Sequence, residues 1–127
     1  MLDTSAIVAI VLREPGFEGL LGKIEQARVV AVGTPTLTEC SMVLSSRLQV
    51  DARLVIRSVL RRMNAQVVPF TEEHFDAAAD AFLRFGRGRR PAGLNFGDCL
   101  SYAVASVSGL PLLFTGDDFT RTDIRAA

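Results

Sequence analysis

Four carboxylates stand out among the 127 residues: Asp3, Glu39, Asp98 and Asp117, each beside or within an apolar segment. The chain offers little else for catalysis. No nucleophilic triad is available, because His74 is the only histidine and its place is predicted to be an exposed helical turn. No GxxxxGK[ST] phosphate loop occurs. Cys40 and Cys99 are too few and too far apart for a zinc motif or a disulfide framework, and their apolar helical surroundings predict buried free thiols. Oxygen ligation remains. Carboxylates gathered without a nearby lysine repel one another and raise each other's pKa. Mg²⁺ or Mn²⁺ relieves that repulsion and takes water and phosphate oxygens besides. Such ions activate water and neutralise the charge that develops on a phosphodiester.

Each acid also has a structural role open to it. Asp3 is a good helix N-cap, although Thr4 and Ser5 could cap equally well. Glu39 closes a capping-box pattern with Thr36, but Thr34-Pro35 is a competing helix start that places Glu39 in the second turn. Asp98 becomes the third helical residue if Asn95 caps, where an acid suits the helix dipole. That helix continues Cys99, Leu100, Tyr102, Ala103, Val104 and Val107, apolar on most sides. A carboxylate buried beside it needs a partner or a metal. Asp117 could be an ordinary turn acid; Asp118 competes for its role and Asp123 is a weaker candidate.

The elements that would position these acids alternate. Leu2 is the stub of a first strand before a helix over Ser5–Leu12, and Glu14-Pro15-Gly16 breaks the pattern. Helical spacing covers Phe17–Ala27, and Val29–Val32 is a short apolar strand. A helix starting at Thr34-Pro35 extends to about Leu48, and Asp51 can cap another to about Met63. Gln66–Phe70 is the next strand. Thr71 then caps a helix predicted to carry Phe75, Ala78, Ala79, Phe82 and Leu83 inward. Asn95 caps a helix through Val107, Leu112–Thr115 is a buried strand, and Thr122–Arg125 an edge strand. The fold class is therefore α/β, with a parallel sheet of four to five short strands and helices on both faces, in one domain over residues 1–127. In such sheets ligands bind beyond the carboxyl ends of the strands, which singles out Asp3 and Asp117.

Net charge is zero, so the overall field does not pull the chain toward nucleic acid. The distribution is more telling, since thirteen of the fourteen basic residues are arginine, suited to planar contact with phosphate or carboxylate. Arg84, Arg87, Arg89 and Arg90 fall within seven residues that contain no acid. Arg87, Arg89 and Arg90 could grip RNA, with a solvated basic loop as the alternative. Arg53, Arg57 and Arg61 recur on one helical face. With no leader-like segment and no apolar run of membrane-spanning length, a cytoplasmic protein without membrane association is expected.

The motifs resemble a known family. Leu2-Asp3-Thr4-Ser5-Ala6 resembles the opening of PIN domains, and Pro35-Thr36-Leu37-Thr38-Glu39 their second acidic motif. The run Leu94-Asn95-Phe96-Gly97-Asp98-Cys99-Leu100-Ser101-Tyr102-Ala103 is similar to the third, as found in VapC-type toxins. Leu112 to Phe119 resembles the fourth, and the four occur in family order along almost the whole chain. The resemblance implies a metal-dependent endoribonuclease that cleaves structured cellular RNA of the tRNA or rRNA class. It also implies a homodimer and a VapB-type antitoxin. By motif position, Asp3 and Asp98 would hold Mg²⁺ or Mn²⁺, joined by Glu39 and Asp117, with Asp118 second to Asp117. Thr4, Ser5, Asn95 and Thr115 would stand behind the ligands or meet phosphate. Arg53, Arg57 and Arg61 would face the antitoxin. The alternatives are a PIN-fold RNA-processing nuclease without a toxin role, a phospho-receiver-like acidic pocket, for which Lys23 is poorly placed, and a non-catalytic binding module.

Overall fold

The structure, a computed structural model, describes residues 1–88 and 92–127. Helices α1 (Thr4–Leu12) and α2 (Phe17–Gln26) precede strand β1 (Ala31–Gly33). Then follow α3 (Thr34–Leu48), α4 (Arg53–Arg62), β2 (Gln66–Val68), α5 (Glu72–Phe85) and α6 (Phe96–Val107). β1 and β2 pair in parallel, Val32 opposite Val67. Single parallel bridges extend this pair: Leu2 joins Val32 on one side and Leu113 on the other, and Leu112 joins Ala126. The lines therefore run β2, β1, Leu2, Leu112–Leu113, Ala126, with Leu2 in the middle.

Neighbouring residues on these lines point to opposite faces, as a pleated strand requires. Leu2, Val32 and Leu113 enter a core with α1, α2, α3 and α4. Met1, Ala31 and Leu112 enter a second core with α5 and α6. This is the expected parallel sheet covered on both faces, though its strands are shorter than anticipated. Val29–Val32 shortens and shifts to Ala31–Gly33, Gln66–Phe70 narrows to Gln66–Val68, and Leu112–Thr115 to two bridged residues. The tail pairs at Ala126, beyond Thr122–Arg125. Proline in the first turn sets the start of α3 at Thr34, so Glu39 lies in the second turn and closes no capping box. In α4, Ala52 rather than Asp51 holds the cap position.

Two expectations are corrected on α5. Ala78 is buried, but Phe75, Phe82 and Leu83 are exposed and Ala79 is exposed with them. Helical spacing identified the apolar stripe but not whether another element covers it. His74, expected on the surface, is buried; its Nδ1 accepts from the backbone N–H of Thr71 at 3.1 Å, within a capping box. Its ring packs against Phe70, centroids 5.4 Å apart. Cys40 and Cys99 are buried free thiols, as expected.

Candidate active site

The carboxyl ends of the sheet lines open into a cleft of about 310 Å³. It is lined by Asp3, Thr4, Ser5, Glu39, Asp98 and Asp118, among others. Asp3 directly follows the central line, and its backbone is fixed by N–H donation to Leu113 O at 2.9 Å. Both roles open to Asp3 coincide: it caps α1 and it lines the cleft. Its Oδ2 accepts from Ser5 N at 2.9 Å and from Ser5 Oγ at 2.6 Å. Ser5 Oγ in turn accepts from Thr115 N at 3.0 Å, tying the first and fourth motifs together. Thr4 Oγ1 donates to Glu39 Oε2 at 2.6 Å.

Asp98 also has a double role. Asn95 caps α6 by accepting from Asp98 N at 3.0 Å, and Asp98 Oδ2 accepts from Asn95 N at 2.8 Å. This reciprocal box fixes the side chain at the cleft. Gly97 explains how Glu39 comes so near. A Cβ on Gly97 would lie 2.5 Å from Glu39 Oε1 and 2.8 Å from its Cδ. Only a residue without a side chain lets that carboxylate rest on the first turn of α6.

Asp3, Glu39 and Asp98 thus share one design. One oxygen of each is held by a neighbouring donor. Burial pushes the Asp98 carboxyl up to about 6, against the pull of the Asn95 N–H, and the charges of Asp118, Asp3 and Glu39 push the same way. Thiol chemistry has no place here. Burial, chiefly, pushes Cys40 up to about 12, with Asp3 and Glu39 adding to it.

The fourth motif supplies Asp118, not Asp117, to the lining. Gly116 takes a left-handed turn with φ 80°, and the Asp117 carbonyl accepts from Thr120 Oγ1 at 2.6 Å and from Thr120 N at 3.1 Å. Asp117 therefore begins a surface turn, and the next residue faces the cleft. Counting from Thr115 could not reveal that turn. Asp123 is elsewhere, bound to Arg84 and to Tyr102 Oη, both at 2.5 Å. Sequence reading missed Glu14 and Arg47, which also line the cleft and pair at 2.7 Å. The available signal was the spacing of Glu39, Val43 and Arg47, one stripe of α3.

Among the described residues no three Asp, Glu, His or Cys side chains form a ready-made cage for an ion. The donor set nevertheless fits Mg²⁺, which uses one or two carboxylates and keeps several waters. The arginines divide. Arg84 is committed to Asp123 and lies over the Phe85 ring, 4.5 Å from its centroid. Arg87 is exposed at the edge of an apolar groove between α5 and α6, which shares Glu39 and Asn95 with the acidic cleft. Arg89 and Arg90 lie outside the described residues. Arg53, Arg57 and Arg61 are exposed on α4, with Arg53 paired to Asp51. No helix among the described residues is long and apolar enough to cross a membrane.

The sequence matches the PIN domain family over residues 1–125. It is 41% identical over 126 residues to Ribonuclease VapC of Mycolicibacterium smegmatis, covering 99% of this chain and 98% of that one. It is 40% identical over 125 residues to Ribonuclease VapC36 of Mycobacterium tuberculosis, covering 98% and 90%. The fold resembles the crystal structure of Mycobacterium tuberculosis VapC20, described as a sarcin–ricin loop cleaving toxin: TM-score 0.78, 18% identity, 99% and 96% coverage. It also resembles VapBC2 from Rickettsia felis bound to a DNA fragment from their promoter, with TM-score 0.72, 15% identity and 99% and 94% coverage. A match along nearly the whole chain, with acids from all four motifs meeting at one cleft, leads to one assignment: the chain belongs to the PIN-domain family, among the VapC ribonucleases.

Proposed function

We propose that this chain is a VapC toxin whose acidic cleft binds Mg²⁺ or Mn²⁺ and hydrolyses phosphodiesters of structured RNA, of the tRNA or rRNA class. The observation that carries the reading is the convergence of Asp3, Glu39, Asp98 and Asp118 on one cleft where Asp98 is raised by burial and by its neighbours. Asp3 and Asp98 would hold the ion, with Glu39 and Asp118 close behind; Asp117 gives way to Asp118. A bound divalent ion supplies a water acidified enough to attack phosphorus and charge to offset the phosphoryl oxygens. The residues of the chain do the positioning. Ser5 and Asn95 hold Asp3 and Asp98 by one oxygen each, and Thr4 does the same for Glu39. Thr115 ties the Ser5 hydroxyl. Chelation with EDTA should abolish RNA cleavage and added Mg²⁺ or Mn²⁺ restore it; cleavage that survives thorough chelation sinks the mechanism.

The toxin role adds a VapB-type antitoxin as partner, supported by the names of its relatives and by the VapBC complex of similar fold; the family resemblance adds a second copy of the chain. For the antitoxin, Val55, Val59 and Met63 of α4 and its C-cap line a groove against α1 and α2, rimmed by Arg13, Arg28 and Arg62. An amphipathic acidic segment suits that groove. Arg57 and Arg61 lie on a separate face of α4 beside Val67, a second place for acids of such a segment to meet arginine. Arg57→Glu with Arg61→Glu should leave cleavage intact and weaken antitoxin inhibition. Inhibition at unchanged affinity removes these two residues from the interface.

A further inference from the structure

RNA is an anion, and the cleft that must receive it is lined by Asp3, Glu14, Glu39, Asp98 and Asp118. A metal ion meets one phosphate; the neighbouring phosphates still face like charge. Among the described residues lining the cleft, one side chain is cationic, Arg47. It lies two turns along α3 from Glu39, on the stripe that carries Val43 between them. Its Nη1 donates to Glu14 Oε1 at 2.7 Å. Glu14 stands on fixed backbone, since its N–H donates to Ala9 O at 2.9 Å where α1 ends.

The pair is half open to water, the Arg47 side chain 55% exposed and that of Glu14 39%. An ion pair so exposed is screened and easily exchanged. Its one hydrogen bond uses one nitrogen of a guanidinium with five N–H donors in a planar fork. A phosphate accepts two such bonds side by side. We infer that Arg47 is a substrate-binding residue that takes a backbone phosphate beside the scissile one, and that Glu14 holds it at the rim of the cleft until RNA arrives. This rests on the cleft being the RNA site. It is independent of Arg87, which lines the neighbouring groove and not this cleft.

The test uses the full chain carrying Asp98→Asn to stop turnover, with Mg²⁺ present. A fluorescein-labelled RNA hairpin is titrated by anisotropy across a KCl series, and Tm is recorded for every variant. Adding Arg47→Ala should weaken binding about tenfold, as expected for a charged hydrogen bond. It should also lower the slope of log K against log salt by roughly 0.7–0.9, one phosphate contact. Arg47→Lys should recover the slope and only part of the affinity, having the charge without the fork. Glu14→Ala should stay within about threefold of the parent, because it removes a holder and not a contact. An Arg47→Ala protein with the parent's affinity and slope overturns the inference. So does equal weakening by Arg47→Ala and Glu14→Ala with equal loss of Tm, which marks the pair as a strut between α1 and α3. A parent that does not bind the hairpin overturns the RNA reading of the cleft and this inference with it.

Discussion

In the first turn of α6, Asp98 faces the charges of Asp118, Asp3 and Glu39. One turn further, Tyr102 donates to Asp123, which Arg84 also grips. The same residue type thus sits in opposite surroundings within a few ångströms of helix. Burial and like charge raise Asp98 to about 6, whereas the bonds from Tyr102 and then Arg84 hold Asp123 below the usual carboxylate range. Asp123 already has its counter-charge and ties the C-terminal tail to α5 and α6. Asp98 has only backbone donors, so its site keeps an unmet demand for positive charge. The difference separates an acid that holds the fold together from acids that weaken it in return for chemistry.

The strongest way to break this contrast is Asp98→Asn. Turnover of RNA should fall by about 10²-fold or more, the scale of losing a metal-site group. The metal-free protein should become more stable, Tm rising by roughly 2–5 °C as the repulsion is removed. A variant that loses activity and stability together would place Asp98 with the structural acids. Gly97→Ala attacks the same site through space instead of charge. The new methyl displaces the Glu39 carboxylate, and a shift of about 1 Å near the chemistry can cost about 10²-fold in rate. Near-normal kinetics with folded protein would mean that Glu39 does not need its present position. Thr4→Val removes only the donor to Glu39, and should cost about tenfold in kcat, the lower end for a group supporting a ligand. Tyr102→Phe probes the other pole. It should leave cleavage within about twofold and lower stability by about 1 kcal/mol, one hydrogen bond. A large loss of activity there would link the two carboxylate environments.

The sequence carried the acids and their order clearly, because motif spacing survives translation into structure. It also showed that Asp3 could cap a helix and that Asp98 could be the third residue behind an Asn95 cap, and both hold. The choice between Asp117 and Asp118 depended on the turn after Gly116, which residue order alone does not determine. The exposed aromatics of α5 were misplaced for a similar reason: periodicity gives the direction of an apolar stripe, and only tertiary packing says whether anything covers it. His74 escaped because its ring takes the third helical place of the Thr71 capping box, one that Glu or Gln usually fills, and packs on Phe70. Arg47 shares a stripe of α3 with Glu39, but its pairing was hidden because Glu14 lies beyond another helix in sequence.

Leu2 forms the middle line of the sheet, and the pairings that frame Asp3 are extreme in range. Met1 N donates to Pro111 O, and Thr115 N to Ser5 Oγ, each across 110 residues. Closing so long a loop must precede any gain from the contacts it allows, which makes this part of the fold slow to form. During synthesis Asp3 leaves the ribosome early, but its backbone N–H waits for the carbonyl of Leu113 to follow. Nascent chains arrested before Leu113 should therefore be unable to cut RNA, however much of α1 to α6 they already contain. Activity should then appear only after the segment around Leu113 has joined the sheet beside Leu2.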